Sequence, residues 1–368
     1  MHITIVAGAR PNFMKIAPII HTIKVEQRNG ANIQYRLVHT GQHYDRAMSD
    51  TFFEELSIPY PDANLEVGSG TQAVQTAMIM MKFEEELLKN PTNVVLVVGD
   101  INSTMACSVV AKKLGTQLVH VEAGIRSFDL AMPEEINRMV TDAITDHFFT
   151  TSHYANTNLA KLGIERERIH FVGNTMIDTL MANVENFRKP AITIAKNLQE
   201  KRYLVLTLHR PSNVDDQTNL QKLLSQISAH SRNLPIIFPA HPRTVVNLQK
   251  LRTLQDSFQV IDPLGYLEFM YLVKNSFGVI TDSGGIQEET TVMKVPCLTL
   301  RKNSERPETV SIGTNELVHS IEDLPKWMEI LFANKWKNGD IPELWDGKTS
   351  ERIVKKLREI YNYEINKS

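Results

Sequence analysis

Short, nearly unbroken apolar runs alternate along this chain with longer stretches in which apolar residues recur every three or four positions. The first run is His2-Ile3-Thr4-Ile5-Val6-Ala7. It leads through Gly8-Ala9-Arg10-Pro11 into Phe13, Ile16, Ile19, Ile20 and Ile23 at helical spacing. The pattern predicts further strands over residues 35–39, 94–98 and 117–121, and helices over 71–88, 104–114 and 134–144. Phe148-Phe149 and Ile169-His170-Phe171 read as the last strands of this half. The alternation restarts at Tyr203, with strands expected over 203–208, 235–238, 259–261, 278–281 and 296–300. Apolar strands joined by amphipathic helices predict parallel sheets covered on both faces.

The expected fold class is therefore α/β, with two Rossmann-like doubly wound domains over residues 1–172 and 173–349. A C-terminal helix over 350–368 follows, with Ile353, Leu357, Ile360 and Tyr361 along one face. Either domain can supply the surface that this face covers, the N-terminal one included. Open α/β sheets bind ligands beyond the carboxyl ends of their strands, so two such domains facing each other make a cleft.

Composition narrows the classes of partner. A chain of 368 residues exceeds one ordinary core, and 42% hydrophobic with 22% charged residues describes a soluble globular protein. A net charge of −2 argues for neither nucleic-acid nor membrane binding, so any phosphate site is local. No apolar run approaches the ~20 residues of a membrane span, and no basic-then-apolar leader precedes the first strand. Cys107 and Cys297 lie in apolar surroundings, which suits buried thiols and a cytoplasmic setting. His39 and His43 have no partners at metal-ligand spacing, so no metal is expected.

The chemistry concentrates at predicted strand ends. Thr281-Asp282-Ser283-Gly284-Gly285-Ile286-Gln287-Glu288-Glu289 links a buried strand to a helix. Ser283 can cap that helix, Gly284 and Gly285 let a ligand approach the backbone, and the helix N-terminus suits a phosphate. Glu289 lies one turn beyond Gly285, where a carboxylate can accept from a ribose diol. A tight turn with an ordinary cap accounts for the same residues equally well. Asp100 and Glu122 end two successive apolar strands, and neighbouring carboxylates raise one another's pKa. Glu134 and Glu135 follow Pro133, where helix-dipole chemistry suffices to explain either one. His209 and His241 end strands of the second half. Arg10, before Pro11, is pushed towards an extended conformation and can reach a diphosphate; Arg306 is a second candidate. A surface ion pair is the plain alternative for each arginine.

Together these segments resemble the non-hydrolysing UDP-N-acetylglucosamine 2-epimerase family. The match runs in order through Gly8-Ala9-Arg10-Pro11, His39-Thr40-Gly41-Gln42-His43-Tyr44, Val98-Gly99-Asp100 and His120-Val121-Glu122-Ala123-Gly124-Ile125-Arg126-Ser127. It continues through Met132-Pro133-Glu134-Glu135-Ile136-Asn137-Arg138, Val172-Gly173-Asn174-Thr175, His209-Arg210, the 281–289 segment and Glu305-Arg306-Pro307-Glu308. The resemblance implies a GT-B-type fold, a homodimer, no cofactor, and inversion at C2 of a UDP-2-acetamido sugar through a 2-acetamidoglucal. It implies acid–base work for Asp100, Glu122 and Glu134, and a catalytic role for His209 at the departing diphosphate. It also places Arg10, Lys15, His241, Phe269, Ser283, Gly284, Gly285, Glu289 and Arg306 around the UDP-sugar, with Phe269 near uracil, Glu289 at the ribose and Arg306 at the phosphates.

The chain departs from the family pattern at Asn12-Phe13, where glutamate often follows Arg-Pro, at Ile101, at 209–214 and at Tyr44-Asp45-Arg46-Ala47-Met48. The last lacks the pattern linked to an allosteric UDP-N-acetylglucosamine site. The first occurs in relatives acting on 2,3-diacetamido uronic acids and 6-deoxy sugars. A hydrolysing relative, a GT-B glycosyltransferase and a non-enzymatic UDP-sugar binder are the alternative readings.

Overall fold

The computed structural model describes residues 1–42, 53–251 and 254–365; the His43-Tyr44 end of one motif and the 44–48 segment lie outside them. The chain divides into two units, Met1–Ala182 with Glu343–Ser368, and Asn183–Pro342.

In the first unit seven strands form one sheet: β1 (His2–Ala7), β2 (Gln34–His39), β3 (Ala63–Asn64), β4 (Val94–Val98), β5 (Gln117–Val121), β6 (His147–Thr150) and β7 (Ile169–Phe171). Their spatial order is β3-β2-β1-β4-β5-β6-β7, and every pair is parallel. β4 consists of five buried apolar residues, as a central strand covered on both faces requires. The helix Arg10–Arg28 buries Phe13, Ile16, Ile19, Ile20 and Ile23 against the sheet. On the helix Gln72–Lys89, Ile79, Phe83 and Leu87 are buried, and Thr71 caps its start by accepting from the Val74 N–H.

The second unit repeats the scheme with β8 (Leu204–Thr207), β9 (Ile236–Pro239), β10 (Phe258–Ile261), β11 (Gly278–Thr281), β12 (Cys297–Thr299) and β13 (Asn315–Leu317). The order is β10-β9-β8-β11-β12-β13, again all parallel. In both sheets the order reverses beside the first strand, between β1 and β4 and between β8 and β11. A crevice opens beyond the strand ends at such a point. Gly8 is needed at the first one, because a Cβ there would sit 2.1 Å from the Ser103 hydroxyl oxygen. β3 and β13 are not anticipated from the sequence: two or three partly polar residues at a sheet edge carry no apolar run.

The unit boundary falls ten residues later than residues 172/173, and 343–349 belong with the first unit rather than the second. The cause is a set of buried polar ties. Asp178, in the helix Thr175–Asn183, accepts from the N–H groups of Thr349 (3.0 Å) and Ser350 (2.6 Å) at the start of the helix Thr349–Ile365. The Trp345 indole donates to the Thr151 carbonyl at 3.0 Å, and Thr22 donates to Ser350 at 3.0 Å. Ile353 and Leu357 are buried, and the helix packs along Arg10–Arg28.

Asp178→Ala would leave two buried N–H groups without an acceptor, which costs about 1–3 kcal/mol. The urea midpoint of the full chain is expected to fall accordingly, and an unchanged midpoint would contradict this anchoring role.

Candidate active site

Asp100 follows β4 through Gly99, which takes a left-handed φ of 71°. Arg138 donates to one Asp100 oxygen from Nε (2.9 Å) and Nη2 (2.7 Å), and from Nη1 to Glu135 at 2.7 Å. Glu135 is buried and also accepts from the N–H groups of Ser127 (2.8 Å) and Phe128 (3.1 Å). Burial alone would raise its pKa. The Ser127 and Phe128 N–H groups and Arg138 outweigh burial and hold it below the usual carboxylate range. Asp100 and Glu135 thus share one guanidinium, with Glu135 and Arg138 three residues apart on one face of the helix Pro133–Ile144.

Glu122 directly follows β5 with a φ of 69° and is buried against Lys15, whose Nζ lies 2.6 Å from Oε2. The cluster converges on Gly99: a Cβ there would lie 3.3 Å from Lys15 Nζ, 3.5 Å from Asn12 Nδ2 and 3.9 Å from Glu122 Oε2. Asn12 accepts from the Gly8 and Ala9 N–H groups at 3.2 and 3.1 Å and donates to the Val98 carbonyl at 3.1 Å. It therefore bridges the ends of β1 and β4, and a glutamate could not make that donation. Glu134 is half-buried at the helix start and lines a cavity of about 270 Å³ beside Gln42, Gln75, Asn102 and Asn137. Asn137 donates to the Asp100 carbonyl at 2.9 Å. Rather than facing each other bare, Asp100 and Glu122 each have a cation at hand.

Arg10 corrects one expectation: it opens the helix Arg10–Arg28 instead of extending from it. Pro11 is tolerated there because the first helical turn has no partner for its N–H groups. Burial lowers the pKa of its guanidinium, against the opposing pull of Glu55.

At the second switch point Asp282 is fully buried and gathers four donors. These are the N–H groups of His209 (3.1 Å) and Arg210 (2.9 Å), Asn213 Nδ2 (3.0 Å) and His209 Nδ1 (2.6 Å). Burial raises its pKa, but His209, Asn213 and Arg210 more than reverse this and leave it below the ordinary value. The His209 side chain is 58% exposed, so with Nδ1 held by Asp282 its Nε2 is the nitrogen available to a ligand. Asp282 was not singled out from the sequence. The signal was present, since it ends a buried strand just as Asp100 does.

Ser283 occupies the N-cap of the helix Gly284–Val292, yet its side chain makes no capping bond. Its N–H donates to the Thr281 hydroxyl at 3.0 Å, so the expectation of a side-chain cap is not met. A Cβ on Gly284 would lie 3.6 Å from Arg301 Nη1, which puts a guanidinium beside the helix N-terminus. Gln287 donates to the Ser283 carbonyl (3.0 Å) and accepts from Ser304 (2.8 Å), while the Ser304 hydroxyl accepts from the Arg306 N–H (3.0 Å). One amide thus joins the glycine turn to the Arg306 loop. The Arg306 guanidinium pairs with Glu288.

Glu289 is buried and accepts from the Tyr266 hydroxyl at 3.0 Å. Burial pushes its pKa up to about 8, against Tyr266, and the nearby Glu288 adds to the rise. Glu308 is pushed up to about 7 by burial, with Arg306 opposing. Phe269 is half-buried on the helix Tyr266–Asn275, and His241 is exposed two residues beyond β9.

Two parallel doubly wound units, each with its polar residues gathered at a sheet reversal, define an α/β protein of the GT-B class. The family model for UDP-N-acetylglucosamine 2-epimerase matches residues 24–358. A UDP-N-acetylglucosamine 2-epimerase of Methanocaldococcus jannaschii is 41% identical over 97% of this chain and 99% of its own length. The crystal structure of the M. jannaschii UDP-GlcNAc 2-epimerase in complex with UDP-GlcNAc and UDP is similar with a TM-score of 0.86 at 41% identity, covering 98% of this chain and 100% of that one. A UDP-2,3-diacetamido-2,3-dideoxy-D-glucuronate 2-epimerase of Pseudomonas aeruginosa is 38% identical over 98% of this chain and 100% of its own. The chain belongs to the UDP-N-acetylglucosamine 2-epimerase family.

The Glu289 environment has a consequence for stability. Its folded pKa of about 8 lies above the ordinary glutamate value of 4.5, so the folded state binds the proton more tightly than the unfolded chain. Its contribution is fully present below the unfolded pKa and is lost as pH rises through about 8. Urea unfolding at pH 5, 7 and 9 is expected to show this decline, and Glu289→Gln is expected to flatten it. An equal decline in the variant would assign the pH dependence to other groups.

Proposed function

We propose that this protein inverts C2 of UDP-N-acetylglucosamine, giving UDP-N-acetylmannosamine without net hydrolysis. The observation that carries the reading is the set of three carboxylates, Asp100, Glu122 and Glu134, on adjoining strand ends and a helix start of the first unit. A glycosyltransferase has little use for such a set.

The C2 hydrogen is not acidic in the ground state. It becomes removable as the C1–O bond breaks and positive charge develops at C1. A carboxylate takes the proton, the C2–H electrons form the C1=C2 bond, and the C1–O pair departs with UDP. The resulting 2-acetamidoglucal is then protonated at C2 on its other face while a UDP oxygen re-forms the bond to C1. Two proton-transfer groups on opposite faces are therefore required, and Asp100, Glu122 and Glu134 supply them. Lys15 holds Glu122 in place.

The second unit meets the other demand, stabilising the departing diphosphate. The N-terminus of the helix Gly284–Val292, with Ser283, Gly284 and Gly285, offers N–H groups, and His209 offers Nε2 under the control of Asp282. Arg10, His241 and Arg306 add positive or donor groups for the phosphates. Glu289 takes the ribose and Phe269 the uracil. A second substrate is favoured by the 38% identical relative named for a 2,3-diacetamido uronate, so the same inversion on a UDP-2,3-diacetamido sugar is the next reading.

The active form is a homodimer. Val74, Met78, Met81 and Leu88 form an exposed apolar stripe on the helix Gln72–Lys89, and a second copy would cover it. Cys107 and Cys297, both buried and free, suit a cytoplasmic setting. No helix of the described residues is long and apolar enough to cross a membrane.

Incubation with UDP-N-acetylglucosamine in deuterium oxide is expected to give UDP-N-acetylmannosamine with deuterium at C2 and UDP conserved, read by proton NMR. Asp100→Asn and Glu122→Gln are each expected to lower kcat by about 10²–10⁴-fold, the usual worth of a general acid or base. Tight UDP binding with neither turnover nor exchange, on this substrate and on the 2,3-diacetamido sugars, would instead make the protein a binder.

A further inference from the structure

Behind the two strand-end carboxylates lies a buried ionic cluster that no step of the reaction uses. His120 on β5, Asp142 on the helix Pro133–Ile144 and Arg126 are 1%, 1% and 8% exposed. His120 Nδ1 lies 2.7 Å from Asp142 Oδ1, and Nε2 lies 2.8 Å from the Gly99 carbonyl oxygen. The second Asp142 oxygen accepts from Arg126 Nη1 at 2.7 Å and from the Gly124 N–H at 3.0 Å. Burial alone would raise the Asp142 pKa, yet His120 and Arg126 hold it below the ordinary range. Both nitrogens of His120 thus face acceptors, a carbonyl that has no proton to give and an ionised carboxylate. Both must donate.

The atoms that this cluster grips are backbone atoms beside the chemistry. Gly99 immediately precedes Asp100, and Gly124 lies two residues beyond Glu122. Gly99, Glu122 and Gly124 have φ values of 71°, 69° and 77°, a region that residues with side chains rarely enter. Glu122 holds it as a non-glycine residue, which the surrounding structure must enforce. The strand-end backbone is therefore bent where the carboxylates must be aimed, and Asp142 reaches both bends at once. It meets one directly through the Gly124 N–H and the other through His120.

We propose that Asp142, with His120 and Arg126, is a positioning unit that sets the backbone beneath Asp100 and Glu122 together. None of the three touches substrate. His120 ties the Gly99 carbonyl, Asp142 orients His120 and tethers Gly124, and Arg126 balances the buried carboxylate. The inference rests on the acid–base roles proposed for Asp100 and Glu122.

Two measurements test it. The first is proton–nitrogen NMR of the histidine rings in the unmutated full chain, with His120 assigned in that chain by linking its ring nitrogens to its own Cβ and backbone resonances. Protons on both His120 ring nitrogens are expected, and a bare ring nitrogen would overturn the proposal. The second is kinetics of His120→Gln and Asp142→Asn. A displacement of about 1 Å at the reacting groups costs on the order of 100-fold, so kcat and C2 deuterium exchange are expected to fall together by about that factor. UDP affinity, measured by calorimetry, and KM are expected to stay within about twofold. Unchanged kcat in folded, UDP-binding His120→Gln would overturn the positioning role. If a variant does not fold, the ring measurement on the unmutated chain still decides. Failure of the unmutated chain to label C2 of either UDP-sugar would count against epimerisation, and the ring protons would still uphold or overturn the buried arrangement.

Discussion

Parallel strands buried on both faces leave a protein nowhere to put chemistry except their ends, and this constraint organises the whole chain. β4 is apolar throughout, and the first polar side chain available after it is Asp100. Glu122 directly follows β5 and Asp282 directly follows β11 in the same way, although those strands also carry His120 and Thr281. Each sheet reverses its order beside its first strand, so the loops after β1 and β4, and after β8 and β11, diverge and leave room between them. Function follows from where the apolar strands end and polar side chains can be placed.

The two units use that room differently. In the first, cations meet carboxylates: Lys15 meets Glu122, and Arg138 meets Asp100 and Glu135. In the second, a buried carboxylate holds an exposed imidazole, and a helix N-terminus stands beside Arg301. The first arrangement suits proton transfer and the second suits a departing diphosphate. The asymmetry arises from side chains on one repeated backbone plan rather than from two different folds.

The architecture was legible because apolar runs and helical periodicity are local signals. Strands such as His2–Ala7, Val94–Val98, Gln117–Val121 and Gly278–Thr281 can be bounded from sequence to the residue. β3 and β13 were not, since their pairing is imposed by neighbouring strands rather than by their own composition. The site was legible only as single residues. Asp100 is visible as the end of a strand, but its tie to Arg138 spans 38 residues and that of His209 to Asp282 spans 73. Glu134 and Glu135 look alike in sequence, and only packing makes Glu135 a buried partner of Arg138 while Glu134 faces a cavity. Asp142, in the last turn of an amphipathic helix, carries no local mark of its importance. The tie that holds the C-terminal segment to the first unit is equally non-local, because Asp178 captures backbone N–H groups more than 170 residues away.

In the proposed reaction C2 is inverted by breaking and remaking the bond from C1 to the diphosphate. The most direct test is positional isotope exchange with UDP-N-acetylglucosamine carrying oxygen-18 between C1 and the β-phosphorus. Elimination frees the β-phosphate to rotate, so the label is expected to scramble into the non-bridging β-phosphate positions as epimer forms. Epimer formed with all of the label still bridging would mean that the C1–O bond never breaks, and the elimination account would be wrong.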